Sequence, residues 1–338
     1  MKKQVAMLYA AVVLALLTAA SVSHAFTVQG AVRQPLNLTN EDLARFVATE
    51  ARLTDLTSEK LYNGVFDYKG VPLQTLLRVA SIQKTGGGFN KDIDLAIVVR
   101  NKEGKEVVLS WGEVFYRNPS NVLVAFSAVA VLPHRQDGCG KCHKPEFYQP
   151  AIDKLKRKVG LPKLILTNDF YSDRSLEDIV SIDVVDLKRG SAQKPEPEPS
   201  AAKFTVTEVG GQISEFTELS KFSHKQVDFK NIGDGRGFHG LRKFDGAPVR
   251  ELLAGLPAGQ EPDTVVLVTA TDGYQGLFSF GEIFLAPLGE RIIISEQQKD
   301  AAKGGKSFTL VVPDDAAADR MIKNISKIEV FSLRKKGP

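Results

Sequence analysis

The sequence predicts two similar halves, each of mixed β-structure with short helices, joined by a stiff spacer. Three observations predict it. Blocks of residues recur in the same order along the chain, as in a tandem duplication. Tyr68-Lys69-Gly70-Val71-Pro72-Leu73-Gln74-Thr75-Leu76-Leu77 returns as Phe244-Asp245-Gly246-Ala247-Pro248-Val249-Arg250-Glu251-Leu252-Leu253. Glu103-Gly104 followed by Trp111-Gly112-Glu113-Val114-Phe115 returns as Asp272-Gly273 followed by Phe280-Gly281-Glu282-Ile283-Phe284, and Ile182–Leu187 returns as Ile328–Leu333. Next, the β-branched runs Ala96–Val99 and Val265–Val268 are closed by polar glycine turns, as strands are. Finally, the proline-rich stretch within 191–203 is semi-rigid and divides 26–190 from 204–338.

Taken in order, residues 1–25 read as a signal peptide. Lys2 and Lys3 give the positive start, Val5–Ala20 is nearly all apolar, and Ser23-His24-Ala25 offers small residues for cleavage. There is no Arg-Arg pair, so the signal is a general secretory one and the mature chain is expected in the periplasm. Pro72 and Pro248 sit at a helix's first turn, with Leu76-Leu77 and Leu252-Leu253 as the buried face. Glu103-Gly104 and Asp272-Gly273 are hairpin turns. Leu164–Leu166 and Leu310–Val312 are later strands. Helices are expected over Pro150–Val159 and Ala316–Asn324. Trp111 and Phe280 match across the repeat and read as core. Gly233–Gly240 holds a Gly-x-Gly-x-Gly run but lacks a strand-to-helix setting, so it reads as a loop, with Arg236 or His239 as remnants of a ligand site.

Charge excludes some functions. Without Lys2 and Lys3 the mature chain keeps 42 of 44 basic residues against 40 acidic ones, a net of +2. Nothing in that balance suggests nucleic acid. No other apolar run spans a bilayer, so no stable membrane anchor is expected after cleavage.

The pattern aromatic-x-Gly-x-Pro-Leu-x-x-Leu-Leu, then a glycine-turn hairpin, then Leu-Val-Val-Pro-Asp and a closing Ile-Glu-Val strand, resembles the molybdopterin-binding domain of the sulfite oxidase family. The resemblance covers both halves and implies an α+β fold: two tandem molybdopterin-binding-type domains with mixed sheets, 26–190 and 204–338. The family's molybdenum is held by a cysteine just before the aromatic-x-Gly-x-Pro motif. Here those segments are Thr54–Asn63 and Phe229–Phe238, and neither holds a cysteine. Molybdenum enzymes also load their cofactor before twin-arginine export. Molybdopterin is therefore not expected.

Both cysteines lie in Cys139-Gly140-Lys141-Cys142-His143. Cys-x-x-Cys-His is the attachment pattern of a c-type haem. Two thiols add to the two vinyl groups of one porphyrin edge, and His143 then lies under the ring as the proximal iron ligand. A vicinal redox pair, a disulfide or half a zinc site are the other readings of Cys139 and Cys142. The motif falls in an insertion over about 131–163: Phe115 to Leu164 is some 24 positions longer than the matching interval, Phe284 to Thr309, of the second half. Such insertions usually carry function. His134, in the same insertion, is the candidate distal ligand, ahead of His224, His239 and Met321.

These residues give one covalent haem c and an electron-transfer function. The alternatives are a sulfite-oxidase-like oxidoreductase with a haem relay, or a non-redox binding module. Eight basic residues lie between Val131 and Lys163 (Arg135, Lys141, Lys144, Lys154, Lys156, Arg157, Lys158 and Lys163) against Asp137, Glu146 and Asp153. That collar predicts an acidic periplasmic redox partner, steered by charge.

Overall fold

The computed structural model describes residues 25–84, 89–131, 144, 146, 150, 153, 157–187, 203–233, 237–254, 261–299 and 305–333. The first half holds strands β1 (Phe26–Gly30), β2 (Leu36–Leu38), β3 (Thr49–Leu56), β4 (Tyr62–Pro72), β5 (Ala96–Asn101), β6 (Glu106–Ser110), β7 (Val122–Ala130), β8 (Lys163–Leu166) and β9 (Ile179–Val185). Its helices are α1 (Asn40–Leu43), α2 (Leu73–Ala80) and α3 (Trp111–Phe115). The second half holds β10 (Phe204–Thr207), β11 (Ile213–Phe216), β12 (Lys225–Gly233), β13 (Gly237–Pro248), β14 (Thr264–Ala270), β15 (Gln275–Ser279), β16 (Ile293–Lys299), β17 (Gly305–Val311), β18 (Ile322–Lys323) and β19 (Ile325–Ser332), with helices α4 (Val249–Ala254) and α5 (Phe280–Phe284).

This architecture corrects the expected fold class. The described chain is mostly β, in four small sheets, and is not a pair of tandem α+β domains. The longest described α-helix, α2, has 8 residues, so the helices plug sheet ends and make no layer of their own. The Pro-led Leu-Leu motifs do start helices, and the first ends after two turns at Ala80, where Ser81 is left-handed at φ 58°. The helix expected over Ala316–Asn324 is a single 3₁₀ turn, Ala318–Arg320, followed by β18. Its apolar residues are too sparse for a helical stripe, and Arg320 turns inward to Asp315.

The sheet orders are β2-β1-β9-β5-β6 and β3-β4-β7-β8 in the first half, β11-β10-β19-β14-β15 and β12-β13-β16-β17-β18 in the second. β1 runs parallel to β9, and β10 to β19, while the other pairs are antiparallel. One core fills the space between the two first-half sheets, around Leu76, Ile97, Val124, Leu164 and Ile182. A second repeats it around Leu252, Val266, Ile294, Leu310 and Ile328. The halves then meet sheet to sheet through Ala96, Val98, Val108, Val265, Leu267 and Leu277. The expected turns are present, with Gly104 at φ 79° and Gly273 at φ 82°.

A crossed ionic network closes the contact between halves. Ser110 caps α3 through the Glu113 amide and donates to Glu282 across the contact at 2.6 Å. Ser279 caps α5 through the Glu282 amide and donates to Glu113 at 2.8 Å. Arg174 binds Asp169 at 2.7 Å and Glu113 at 2.6 Å, and Arg320 binds Asp315 at 2.6 Å and Glu282 at 2.8 Å. Each guanidinium lies on the helix start of the other half. A Cβ on Gly281 would fall 2.2 Å from Arg174, and one on Gly112 would fall 2.3 Å from Arg320. Burial pushes the Asp169 and Glu282 carboxyls up, and Arg174 and Arg320 offset this only in part.

Candidate functional site

Cys139, Cys142, His143 and His134 lie outside the described residues, as do the first 24 residues and nearly all of the spacer. Of the expected helix over Pro150–Val159, Pro150 and Asp153 are helical, and Arg157 to Val159 are not. Both ends of the insertion are placed. It leaves at Ala130, the end of β7, and returns at Lys163, the start of β8, and these two strands are hydrogen-bonded neighbours. The insertion therefore replaces a hairpin turn. In the second half the matching strands, β16 and β17, are joined through 300–304 alone.

The returning end is fixed in a charged cluster. Arg157 Nη2 donates to Asp55 Oδ2 at 2.6 Å and to Glu177 Oε1 at 2.8 Å. Lys163 Nζ, on a residue 1% exposed, donates to Asp55 at 3.0 Å, Tyr68 Oη at 3.1 Å and Glu177 at 3.2 Å. Ser172 Oγ donates to the other Asp55 oxygen at 2.8 Å, and the Gly160 amide to Glu177 Oε2 at 2.8 Å. Gly160 is required there, because a Cβ would stand 2.4 Å from Asp178 Oδ2. Arg157 also lies over the Phe66 ring at 5.3 Å. Strand β3 places Asp55, β4 places Tyr68, β8 places Lys163, and the segment before β9 places Ser172 and Glu177.

The electrostatics follow from burial and pairing. Burial pushes the Asp55 carboxyl up, but Lys163, Ser172 and Arg157 outweigh it and hold it below its ordinary value. Glu177 is lowered likewise, its burial outweighed by Arg157, the Gly160 amide and Lys163. Burial pushes Lys163 down, yet Tyr68, Asp55 and Glu177 outweigh it and raise the ammonium. An amine held charged in this way is no nucleophile near neutral pH. The cluster holds the returning chain in place. It floors an open cleft of roughly 390 Å³, rimmed by Thr57, Asn63, Glu103, Lys105, Asp173 and Asp178.

The second half lacks the cluster. Register and sequence place Asn231 opposite Asp55, Phe244 opposite Tyr68, Thr309 opposite Lys163 and Lys323 opposite Glu177. Only the half with the insertion carries these charges.

The remaining sequence candidates fall as follows. Lys144 and Lys158 are exposed, whereas Arg157 and Lys163 turn inward to carboxylates and are lost to any surface collar. Arg135, Lys141, Lys154 and Lys156 lie outside the described residues. His224 pairs with Asp245 at 2.6 Å, His239 is exposed on β13, and Met321 is partly buried beside Val227 and Phe229. Gly233–Gly240 is the tip of the β12–β13 hairpin, with Arg236 outside the described residues. Trp111 stacks on Phe115 at 4.6 Å and Phe280 on Phe284 at 4.7 Å, a matched aromatic pair in each half. Sequence reading missed the roles of Asp55 and Glu177. The one signal was the lysine starting a buried strand, since a buried amine requires carboxylate partners.

No protein-family model matches the chain, and no curated protein matches it. Among solved structures it is similar to the sulfane dehydrogenase SoxCD from Paracoccus pantotrophus, with a TM-score of 0.33 and 13% identity, over 90% of this chain and 78% of that one. The likeness is thus to a redox protein by name, and it is too slight to place a cofactor or a reaction here.

Proposed function

We propose that the chain is an exported c-type haem protein that passes single electrons, its haem carried by the insertion between β7 and β8. The observation that carries this reading is the position of Cys139-Gly140-Lys141-Cys142-His143. All the cysteine of the chain stands in a segment that replaces a hairpin turn and is tied down by a charged cluster absent from the other half. The donor set fits a covalent haem: two thiols for the vinyl groups and an imidazole for the iron. Bound there, the group would supply a one-electron couple. The chain's own part is to hold it. Cys139 and Cys142 would hold the porphyrin covalently, and His143 and His134 would be the ligands to its iron. Arg157 and Lys163 fix the returning strand.

The molybdopterin reading lacks a ligand. Neither Thr54–Asn63 nor Phe229–Phe238 holds the cysteine that would bind the metal. A structural zinc at Cys139 and Cys142 finds no second Cys-x-x-Cys to complete it, and a disulfide there leaves His143 without a role.

The test is expression with haem-attachment machinery, then intact mass and an absorption spectrum. The reading predicts one added haem, cleavage after Ala25, and loss of the added mass in C139S and C142S. It also predicts that H134A turns the iron high-spin. An unmodified mass would sink it. Electron exchange with an acidic periplasmic partner should slow as salt rises, and K144Q and K158Q should blunt that dependence.

A further inference from the structure

The second half differs from the first at one sheet edge. In the first half β4 pairs with β7 along its length, from Pro72–Leu123 to Phe66–Ala130. In the second half β13 pairs with β16 only at Pro248–Ile293 and Ala247–Ile294. Beyond Gly246 the two strands part. β16 continues on β17 from Ile293–Val311 to Lys299–Gly305, and β13 continues on β12 out to Gly233–Gly237. The side chains account for the split. β7 offers Ser127, Ala128, Val129 and Ala130 to β4, and Ala128 and Ala130 pack beside Phe66 and Tyr68. β16 carries Gln297, Gln298 and Lys299 at the matching places. Among the described residues, the outward backbone groups of 238–244 meet no strand, and the Asp245 carbonyl accepts from Ser295 Oγ at 2.7 Å.

We propose that this edge of β13 takes up an extended, acid-bearing segment of another protein as an added strand. The inference is independent of the haem reading. An unpaired row of N–H and C=O groups is a template for a strand, and natural edges of this length are usually covered or broken. The edge is apolar and basic together. Phe238 is 63% exposed and Leu241 is 69% exposed. Arg242 lies over the Phe244 ring at 4.7 Å, and Lys243 is exposed on the opposite face. Asp245 is already held by His224 at 2.6 Å. Acidic side chains on alternate faces of an incoming strand would meet Arg242 and Lys243. A second copy of this chain would bring Arg242 and Lys243 against their own kind. In the chain's own spacer Pro195, Pro197 and Pro199 fix φ at about −65°, away from the roughly −140° of an antiparallel strand, which disfavours it as the added strand.

The experiment is amide hydrogen exchange on the full chain. The probe is a synthetic peptide of residues 122–130, the strand that fills the matching edge, carrying V129E and A130E, the places that face the counterparts of Lys243 and Arg242 in the first half. Exchange within 238–245 should slow by roughly tenfold on saturation, with 66–72 unchanged. R242E/K243E should abolish the slowing, and the same variant should respond to a peptide carrying V129K and A130K. Unaltered exchange over 264–270 will show the variant is folded. Three results would overturn the proposal. One is exchange over 238–245 already as slow as over 66–72 in the free protein. Another is no response to the acidic peptide. The last is slowing that follows the protein's own concentration, which would make the occupant a second copy.

Discussion

The two halves share a plan and spend it differently. Both lay a parallel closing strand into a five-stranded sheet, and both cap a short helix with serine and set an arginine on the other half's helix start. They differ where strands of the outer sheet turn. The first half pairs its outer sheet fully and opens the β7–β8 turn into a long insertion. The second keeps that turn short and lets β13 leave the sheet. Shared features sit at the contact between halves, and divergent ones sit at the far ends. Stability is thus invested where the halves agree, and function is read from where they do not.

The sharpest way to break this comparison is to cut the shared network on one side. R174M strips Asp169 and Glu113 of their cation, and R320M strips Glu282 while Asp315 keeps Arg117 at 3.1 Å; breaking a buried pair costs about 3–5 kcal/mol. If the halves are equivalent at the contact, the two losses agree within about 1 kcal/mol and chemical unfolding stays a single transition. A second transition in either variant would show that the halves fold separately. G112A and G281A press on the same contact from the glycine side and should also destabilise, since the added Cβ meets the guanidinium.

Lys163 tests the difference. K163M strips one of two cations from Asp55 and Glu177 while Arg157 remains, so the expected loss is about 3 kcal/mol, the low end for a broken buried pair. T309V, at the matching place in the second half, should cost less than about 1 kcal/mol. Equal losses from the two would remove the special standing of the insertion's foot.

Much of this was legible in the sequence, and the misses have physical causes. The repeat, the glycine turns and the strands at Ala96–Val99, Leu164–Leu166 and Val265–Val268 follow from local pattern, because a buried strand needs β-branched residues and its turn needs a positive φ. The fold class did not follow. Pro72 and Pro248 do start helices, but nothing local says that the first ends at Ala80, where Ser81 turns left-handed. The α+β class came with the family resemblance and fails on the strands. The charged cluster was hidden for another reason: Asp55, Lys163 and Glu177 are far apart in sequence and meet only because β3, β8 and the segment before β9 converge. The run from Val131 to Lys163 read as a uniform basic collar because sequence alone cannot show that Arg157 and Lys163 point inward.

Acid should act on the two halves unequally. Asp55 and Glu177 are held below their ordinary values, so their ionised forms add stability that is fully present above the ordinary carboxylate range. That stability is lost as pH falls through the lowered folded values. The stability gap between D55N and the native chain should therefore narrow by about 1 kcal/mol between pH 7 and pH 3. Exchange near 157–163 should rise over the same window before 305–311 responds. A gap that stays constant with pH would mean Asp55 is not titrating against Lys163 and Arg157.

The smallest effect is expected at His224. It pairs with Asp245 where β13 leaves β16, and the Asp245 carbonyl accepts from Ser295 Oγ at 2.7 Å. The matching first-half residue, Lys69, is instead a rung of the β4–β7 ladder with Ser127. A side-chain pair thus stands where a sheet rung stands in the other half. The Asp245 carboxylate raises the His224 imidazole above its ordinary value. The sign follows: the charged pair's contribution is fully present below the ordinary histidine range and is lost as pH rises through the raised value. Both groups are largely in solvent, so the expected size is about 0.3 kcal/mol, as for exposed pairs. H224Q should cost that much at pH 5 and nothing at pH 9, with exchange at 244–246 rising only at the lower pH. An equal response at both pH values would mean that the pair does not hold β13 at the point of departure, and that the Ser295 contact alone sets where the strands part.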